Sequence, residues 1–152
     1  MGARDSKPLT HDTEDRVDEI ADRLYPEAGD GWSRLTSAER TVFGIWALKV
    51  EVCNGGFAQF FHNSVGEATP SVIEAVEAVG ADPCADLLRQ AWAVFGRDID
   101  LRDPERRAAR ADGLSAADRQ ALDRLDQAFF TAKHDLLAKT LAFPRAHARE
   151  IR

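Results

Sequence analysis

Residues 36–66 read TSAERTVFGIWALKVEVCNGGFAQFFHNSVG, and the fold turns on how that stretch is read. Thr36-Ser37-Ala38-Glu39 is a capping-box pattern. In it, a Thr side chain accepts from the backbone three residues on, and a Glu reaches back to the Thr N–H. The next fourteen residues are apolar on most sides, through Val42, Phe43, Ile45, Trp46, Leu48, Val50 and Val52. Only Arg40, Lys49 and Glu51 interrupt them. A helix that is apolar nearly all round is surrounded by other elements, so the pattern predicts a central helix over 37–53. A strand over 49–53 is the weaker reading, because the run is continuous from its cap. Asn54-Gly55-Gly56 then breaks the helix, since glycine supplies the positive φ of a helix end. Phe57, Phe60 and Phe61 follow at i, i+3 and i+4, which places three rings on one face of a short aromatic helix. The stretch from Asn63 to Gly66 ends it.

On the N-terminal side, Val17, Ile20, Ala21 and Leu24 form one apolar stripe, so a helix is expected from Thr13. Tyr25-Pro26 is its expected stop, because the residue before a proline avoids the α region. A glycine-containing loop with Trp32 follows, and Trp32 is a candidate exposed aromatic anchor. On the C-terminal side, Thr69-Pro70 and Asp82-Pro83 each read as an N-cap followed by proline. Each opens an apolar stripe closed by a glycine, Gly80 and Gly96, in the manner of an αα-hairpin. Residues 97–113 are the most charged stretch and read as a mobile insertion, with Asp103-Pro104 able to start one short helix. Leu114-Ser115 opens a long helix, expected to reach Ala142 and to stop at Pro144. No segment alternates as a half-buried strand does. The expectation is an all-α single compact domain of about six or seven helices. Its organisation is a flexible segment 1–12, a helical domain 13–143 and a basic tail 144–152.

The chain has 152 residues, 44% hydrophobic and 30% charged, the composition of one globular domain. Its 20 bases and 26 acids give −6, which argues against direct nucleic-acid binding. The charge is uneven: net −5 over residues 1–30, −3 over 31–96 and +2 over 97–152. Two cysteines make no disulfide framework. No run is long enough to span a membrane, and the first fifteen residues hold no apolar signal segment, so a cytoplasmic protein is expected. The spacings of zinc sites, phosphate loops and nucleophile elbows are absent. No metal, no cofactor and no catalytic residue is therefore expected.

Glu51 is out of place electrostatically. It sits in the last turn of an apolar helix, where the macrodipole disfavours an anion by about 0.3–1 kcal/mol. One reading has it capping the N–H groups at Gly56–Phe57. The other groups it with Asn54, Gln59 and Asn63 in a polar site. Gln59 and Asn63 lie at i and i+4, away from the rings. His62 points elsewhere, and His11, His134 and His147 are scattered. Cys53 and Cys84 read as small buried residues, with a lowered thiol pKa at the helix start as the alternative for Cys84. The three Phe rings read as core, with Phe60 alternatively at a dimer rim. Trp46 and Trp92 read as core. Glu14, Asp15, Asp18, Glu19 and Asp22 make the first helix acidic, either as a solvated face or as a docking surface for a basic partner.

The run Glu51-Val-Cys-Asn-Gly-Gly-Phe-Ala-Gln-Phe-Phe-His-Asn63, with Gly66 and Gly80-Ala81 beyond it, resembles the signature of the bacterial DNA-mimic-protein-like family, a domain family of largely unknown function. A weaker likeness extends to Leu125-Asp126-Gln127-Ala128-Phe129-Phe130. The resemblance implies a helical, often dimeric, non-enzymatic domain that binds a protein partner, in one member a DNA-binding regulator. A phosphate ladder needs carboxylates with few cations between them. Here Asp15-Arg16, Asp118-Arg119 and Asp123-Arg124 alternate in sign, so the acids look more like a docking face. The expected function is protein interaction through that face, with a homodimer as a candidate state. The alternative is an enzyme or small-ligand binder with a polar pocket around Glu51, Asn54, Gln59 and Asn63. A third reading is a structural domain that acts within a larger complex.

Overall fold

In the computed structural model, which describes residues 9–28 and 32–151, the chain forms six α-helices and, among the described residues, no strand. The central helix starts at its capping box. Thr36 Oγ1 accepts from the Glu39 backbone N–H at 3.1 Å, and the Glu39 carboxylate accepts from the Thr36 N–H at 2.9 Å. This helix, α2, runs Ser37–His62. The glycine pair interrupts it, as the sequence predicts. The backbone breaks there, with Gly55 at φ −152°, ψ 17° and Gly56 at φ 75°, ψ −176°, and then resumes. The expected central helix and the aromatic helix are thus two arms of one kinked element, 37–54 and 57–62.

The other helices are α1 (Leu9–Ala28), α3 (Thr69–Ala78), α4 (Asp82–Phe95), α5 (Pro104–Asp112) and α6 (Ala116–Ala146). All five contact α2, as an element apolar on most sides requires. Short 3₁₀ turns, Trp32–Arg34 and Ser64–Ala68, precede α2 and α3. Phe57, Phe60 and Phe61 are fully buried. Phe57 meets Phe129 of α6 edge-on at 5.8 Å between centroids, and Phe61 stacks on Phe95 of α4 at 4.9 Å. The aromatic arm is therefore the point on which α4 and α6 close, each ring contributing about 1.5–3 kcal/mol by burial. With no exposed surface, Phe60 belongs to the core and not to a rim.

Several boundaries differ from the sequence expectation. Residues 1–8 of the expected flexible segment lie outside the described residues, and α1 begins at Leu9 and continues past Tyr25-Pro26 to Ala28. The N-caps of α3 and α4 are Ala68 and Ala81, each one residue early. Thr69 instead donates its hydroxyl to the Gly66 carbonyl at 2.6 Å, closing the preceding turn. Gly80 and Gly96 end their helices as expected, at φ 84° and 128°. At the other end, α6 passes through Pro144 to Ala146. So near a terminus a proline removes one backbone bond and leaves the rest of the helix intact. The Phe143 ring stacks on His147 at 4.1 Å, and Thr36 Oγ1 donates to the Glu150 carbonyl at 2.5 Å, so the end of α6 lies against the start of α2.

Residues 97–113 form a docked element in place of a loose insertion. Asp103 caps α5 by accepting from the Glu105 and Arg106 N–H groups. Arg107 is buried and donates to the carbonyls of Leu101 and His62. Arg110 donates to the carbonyls of Phe95 and Val94 and to the Asp118 carboxylate. The charges of this stretch hold it, together with Leu101, which is buried in the core, and Ile99 and Ala111, which pack against that core. His62 and Phe95 are the last residues of α2 and α4, and the final carbonyls of a helix have no partner within it.

Candidate functional site

The kink in α2 builds the polar constellation. On a straight helix Glu51 and Gln59 would stand about 12 Å apart along the axis, and Glu51 and Asn63 about 18 Å. With the turn at Gly55-Gly56, Gln59 Nε2 donates to Glu51 Oε2 at 2.9 Å, and Asn63 Nδ2 donates to the same oxygen at 2.8 Å. Gly55 carries no side chain because a Cβ there would collide with Gln59. Glu51, Gln59 and Asn63 are thereby brought together. Asn54 is exposed beside the kink and takes no part in the cluster. His62 is exposed, with Nδ1 3.3 Å from Asn63 Oδ1.

Glu51 does not cap the second arm. The Phe57 N–H donates to Asp126 Oδ1 of α6 at 2.8 Å. Gly56 faces the same carboxylate so closely that a Cβ would overlap it, and its φ of 75° disfavours any side chain. Burial pushes the Asp126 carboxyl above its usual range, the Phe57 N–H pulls it back down, and Asp123 adds a smaller upward push. Asp126 had no assigned role from the sequence. The available signal was a single acid inside the apolar run LDQAFF of the late helix.

One side of α2 is only partly covered along its first arm, with Phe43 and Ala47 buried at its base and Arg40, Trp46, Val50 and Glu51 more open. Arg40, Phe43, Trp46, Ala47, Val50 and Glu51 fall on that side at helical spacing and floor a groove of about 790 Å³. Tyr25 and Trp32 also line it, as do Val65, Glu67 and Ser71 from residues 64–71. The rings are in mutual contact: Trp32–Phe43 at 5.7 Å, Phe43–Trp46 at 5.3 Å and Tyr25–Trp46 at 6.5 Å. Tyr25 is 59% exposed, the large apolar side chain most open to solvent among the described residues. Trp32 is half-buried against Phe43 and is not the free-standing anchor expected. Trp46 is also only half-buried. Its Nε1 donates to Asp18 Oδ1 at 3.0 Å.

The acidic face of α1 divides in two. Glu14 and Asp18 turn toward α2 and α6: Asp18 Oδ1 accepts from Lys49 at 2.9 Å, while Glu14 lies 3.8 Å from Lys49 and 3.5 Å from Lys133. Lys49 is only 7% exposed, and a buried ammonium needs such anions. Glu14 and Asp18 are therefore largely committed to the fold. Asp15, Glu19 and Asp22 face outward. Asp18, Asp22 and Tyr25 lie at i, i+4 and i+7, so the acidic side of α1 runs directly into the wall of the groove.

The cysteines reverse one expectation and meet another. Cys53 is exposed, and Cys84 is buried. The Cys84 thiol sits 3.8 Å from the Ala132 carbonyl, and burial, with Asp135 adding to it, pushes it up to about 11, the opposite of thiolate activation. Among the described residues no group of His, Cys, Asp and Glu is placed to hold a metal ion, and no helix is long and apolar enough to cross a membrane.

A family model described as DMP19-like protein matches residues 33–147, from the turn before α2 to the end of α6. The match includes the whole of the Glu51–Asn63 cluster and Asp126. No curated protein and no solved structure matches the chain.

Proposed function

The chain belongs to the DMP19-like protein family, and we propose that it acts as a non-enzymatic interaction domain that binds a basic partner protein, a DNA-binding regulator being one such partner. The observation that carries this reading is the continuity of the outward acids of α1 with the open aromatic groove. Glu19 and Asp22 are exposed, and Tyr25 follows one turn on, at the groove's edge. A rim of carboxylates beside aromatic anchors is the arrangement that steers and then holds a basic surface. Mimicry of a phosphate ladder fits this face less well. Arg16 and Arg23 stand among the acids of α1, and two of its carboxylates are paired inward.

The competing reading, a small-ligand pocket or enzyme at Glu51, Asn54, Gln59 and Asn63, has less support. Glu51 is tied to Gln59 and Asn63, Asn54 is outside, and the nearby imidazole of His62 is exposed and turned onto Asn63. The test is capture of a protein from host extract by the immobilised chain at low and high salt. Glu19→Lys with Asp22→Lys should abolish salt-sensitive capture and leave the melting temperature within about a degree or two, as exposed surface changes do. Capture undiminished by that double reversal would overturn the proposal.

A further inference from the structure

The groove on α2 is electrostatically polar along its length. Arg40 stands at one end, its Nε donating to the Leu35 carbonyl at 3.1 Å. Glu51 stands at the other, eleven residues on and so about 16 Å along the same helix. Glu67, which also lines the groove, adds a second carboxylate, within electrostatic reach of Arg102. Between the ends lie the rings of Phe43 and Trp46, with Tyr25 and Trp32 beside them.

Glu51 is the unusual member. Gln59 and Asn63 both donate to its Oε2, which fixes the plane of the carboxylate. Among the described residues no donor reaches Oε1. Two amides thus hold an anion in one orientation, with one oxygen uncommitted, at the end of an aromatic trough. An apolar occupant would leave that oxygen unused, and an anionic one would be repelled. A planar cation matches both features, since a guanidinium stacks on an aromatic face and donates in plane to a carboxylate. An ammonium offers a point charge without the plane.

We propose that the Glu51 end of this groove receives an arginine side chain of the partner, stacked against the aromatic wall and hydrogen-bonded to Glu51. The proposal rests on the protein-binding reading above and names the residue type that reading requires.

The probe is a blocked peptide of alternating arginine and glycine, with matched peptides carrying lysine or citrulline in place of arginine. The readout is the three tryptophan indole N–H resonances of the full chain. Trp32 and Trp46 line the groove, and Trp92 on α4 does not, so it serves as an internal control. The expected result is a saturable shift of the Trp32 and Trp46 signals with the arginine peptide and a still Trp92 signal. Binding should be several-fold weaker with lysine and absent with citrulline. Glu51→Gln should weaken the arginine peptide about tenfold, the scale of one charge-assisted bond. If that variant loses its fold, Tyr25→Ala and Glu67→Gln, both at exposed positions, should each weaken it several-fold. Equal binding of the citrulline or lysine peptide would overturn the proposal, as would groove signals that do not move. Failure here with capture still sensitive to Glu19 and Asp22 would reject the arginine site alone. Failure of both would reject the protein-binding reading as well.

Discussion

Asp126 holds the kink of α2 from 69 positions away in sequence. Its carboxylate accepts the Phe57 N–H, a donor the broken helix leaves without an intrahelical partner. Burial raises its folded pKa above the usual 3.8. The native state then holds the proton more tightly than the unfolded chain does, so this residue's contribution is most favourable below the ordinary carboxylate range. It declines as pH rises through the raised value, and the decline is complete above it. Asp126→Asn keeps an acceptor for Phe57 and removes the charge. Urea denaturation should therefore show the variant gaining on the natural chain as pH rises from about 4 to 7. Asp126→Ala should instead lose about 1–3 kcal/mol across that range, by orphaning a buried N–H. An Asn variant that tracks the natural chain at every pH would dissociate the burial from the cap. The neighbouring Glu51 was legible in sequence as an acid needing compensation, and so was its grouping with Gln59 and Asn63. Which carboxylate met the Phe57 N–H was not, because that depends on how α6 lies across the kink. Cys53 shows the same limit: on a helix read as apolar all round, one exposed strip is invisible until the neighbours are placed.

Among the elements, boundaries set by a cap or a glycine were easier to read than those expected at a proline. The capping box read at Thr36 forms, and Ser115, read only as a helix start, makes another with Asp118, because the residues of each lie within one turn of each other. Pro26 and Pro144 were expected to end helices and do not, since the cost of proline depends on how many bonds remain beyond it. The largest difference is α5. Composition alone gives this helix no apolar face to bury, and Arg107 is its buried residue. It is held by guanidinium groups at the C-terminal ends of α2 and α4, where cations also suit the helix dipoles. Arg110→Ala should cost about 1–3 kcal/mol by leaving those carbonyls and Asp118 without their donor. Arg110→Lys should recover only part of it, because one ammonium cannot span the fork that reaches Phe95, Val94 and Asp118. Chemical denaturation of the two variants checks this. Equal stability of Arg110→Ala and the natural chain would mean that the Arg110 bonds do not hold α5 and that Arg107 and the apolar contacts of Leu101 and Ala111 do.

On the scale of the whole molecule, the family match and the main core coincide, and α1 stands apart from both. The match begins at residue 33. The largest buried cluster draws on α2, α3, α4 and α6, with Leu101 and Leu114 flanking α5, and among the described residues takes no side chain from α1. Ala21 and Leu24 of α1 belong to a smaller cluster with Leu35 and Phe43, and the Lys49 and Lys133 ion pairs add to it. Val17, Ala21 and Leu24 of α1 are buried but add to the edge of the main core, whereas the acidic face and the Tyr25 side of the groove come from α1 itself. A chain of residues 32–152 should therefore remain helical and melt cooperatively, at a lower temperature than the full chain. Trp46 should emit further to the red, since it loses Asp18 and the cover of Tyr25. The same chain should fail to capture the partner and should bind the arginine peptide several-fold more weakly. Circular dichroism, tryptophan emission and the two binding assays on one preparation decide the matter. If the shortened chain is unfolded, α1 is part of a single cooperative unit, and fold and recognition cannot be assigned to different stretches of sequence. If it is folded and still captures the partner, the binding surface lies elsewhere on the family core.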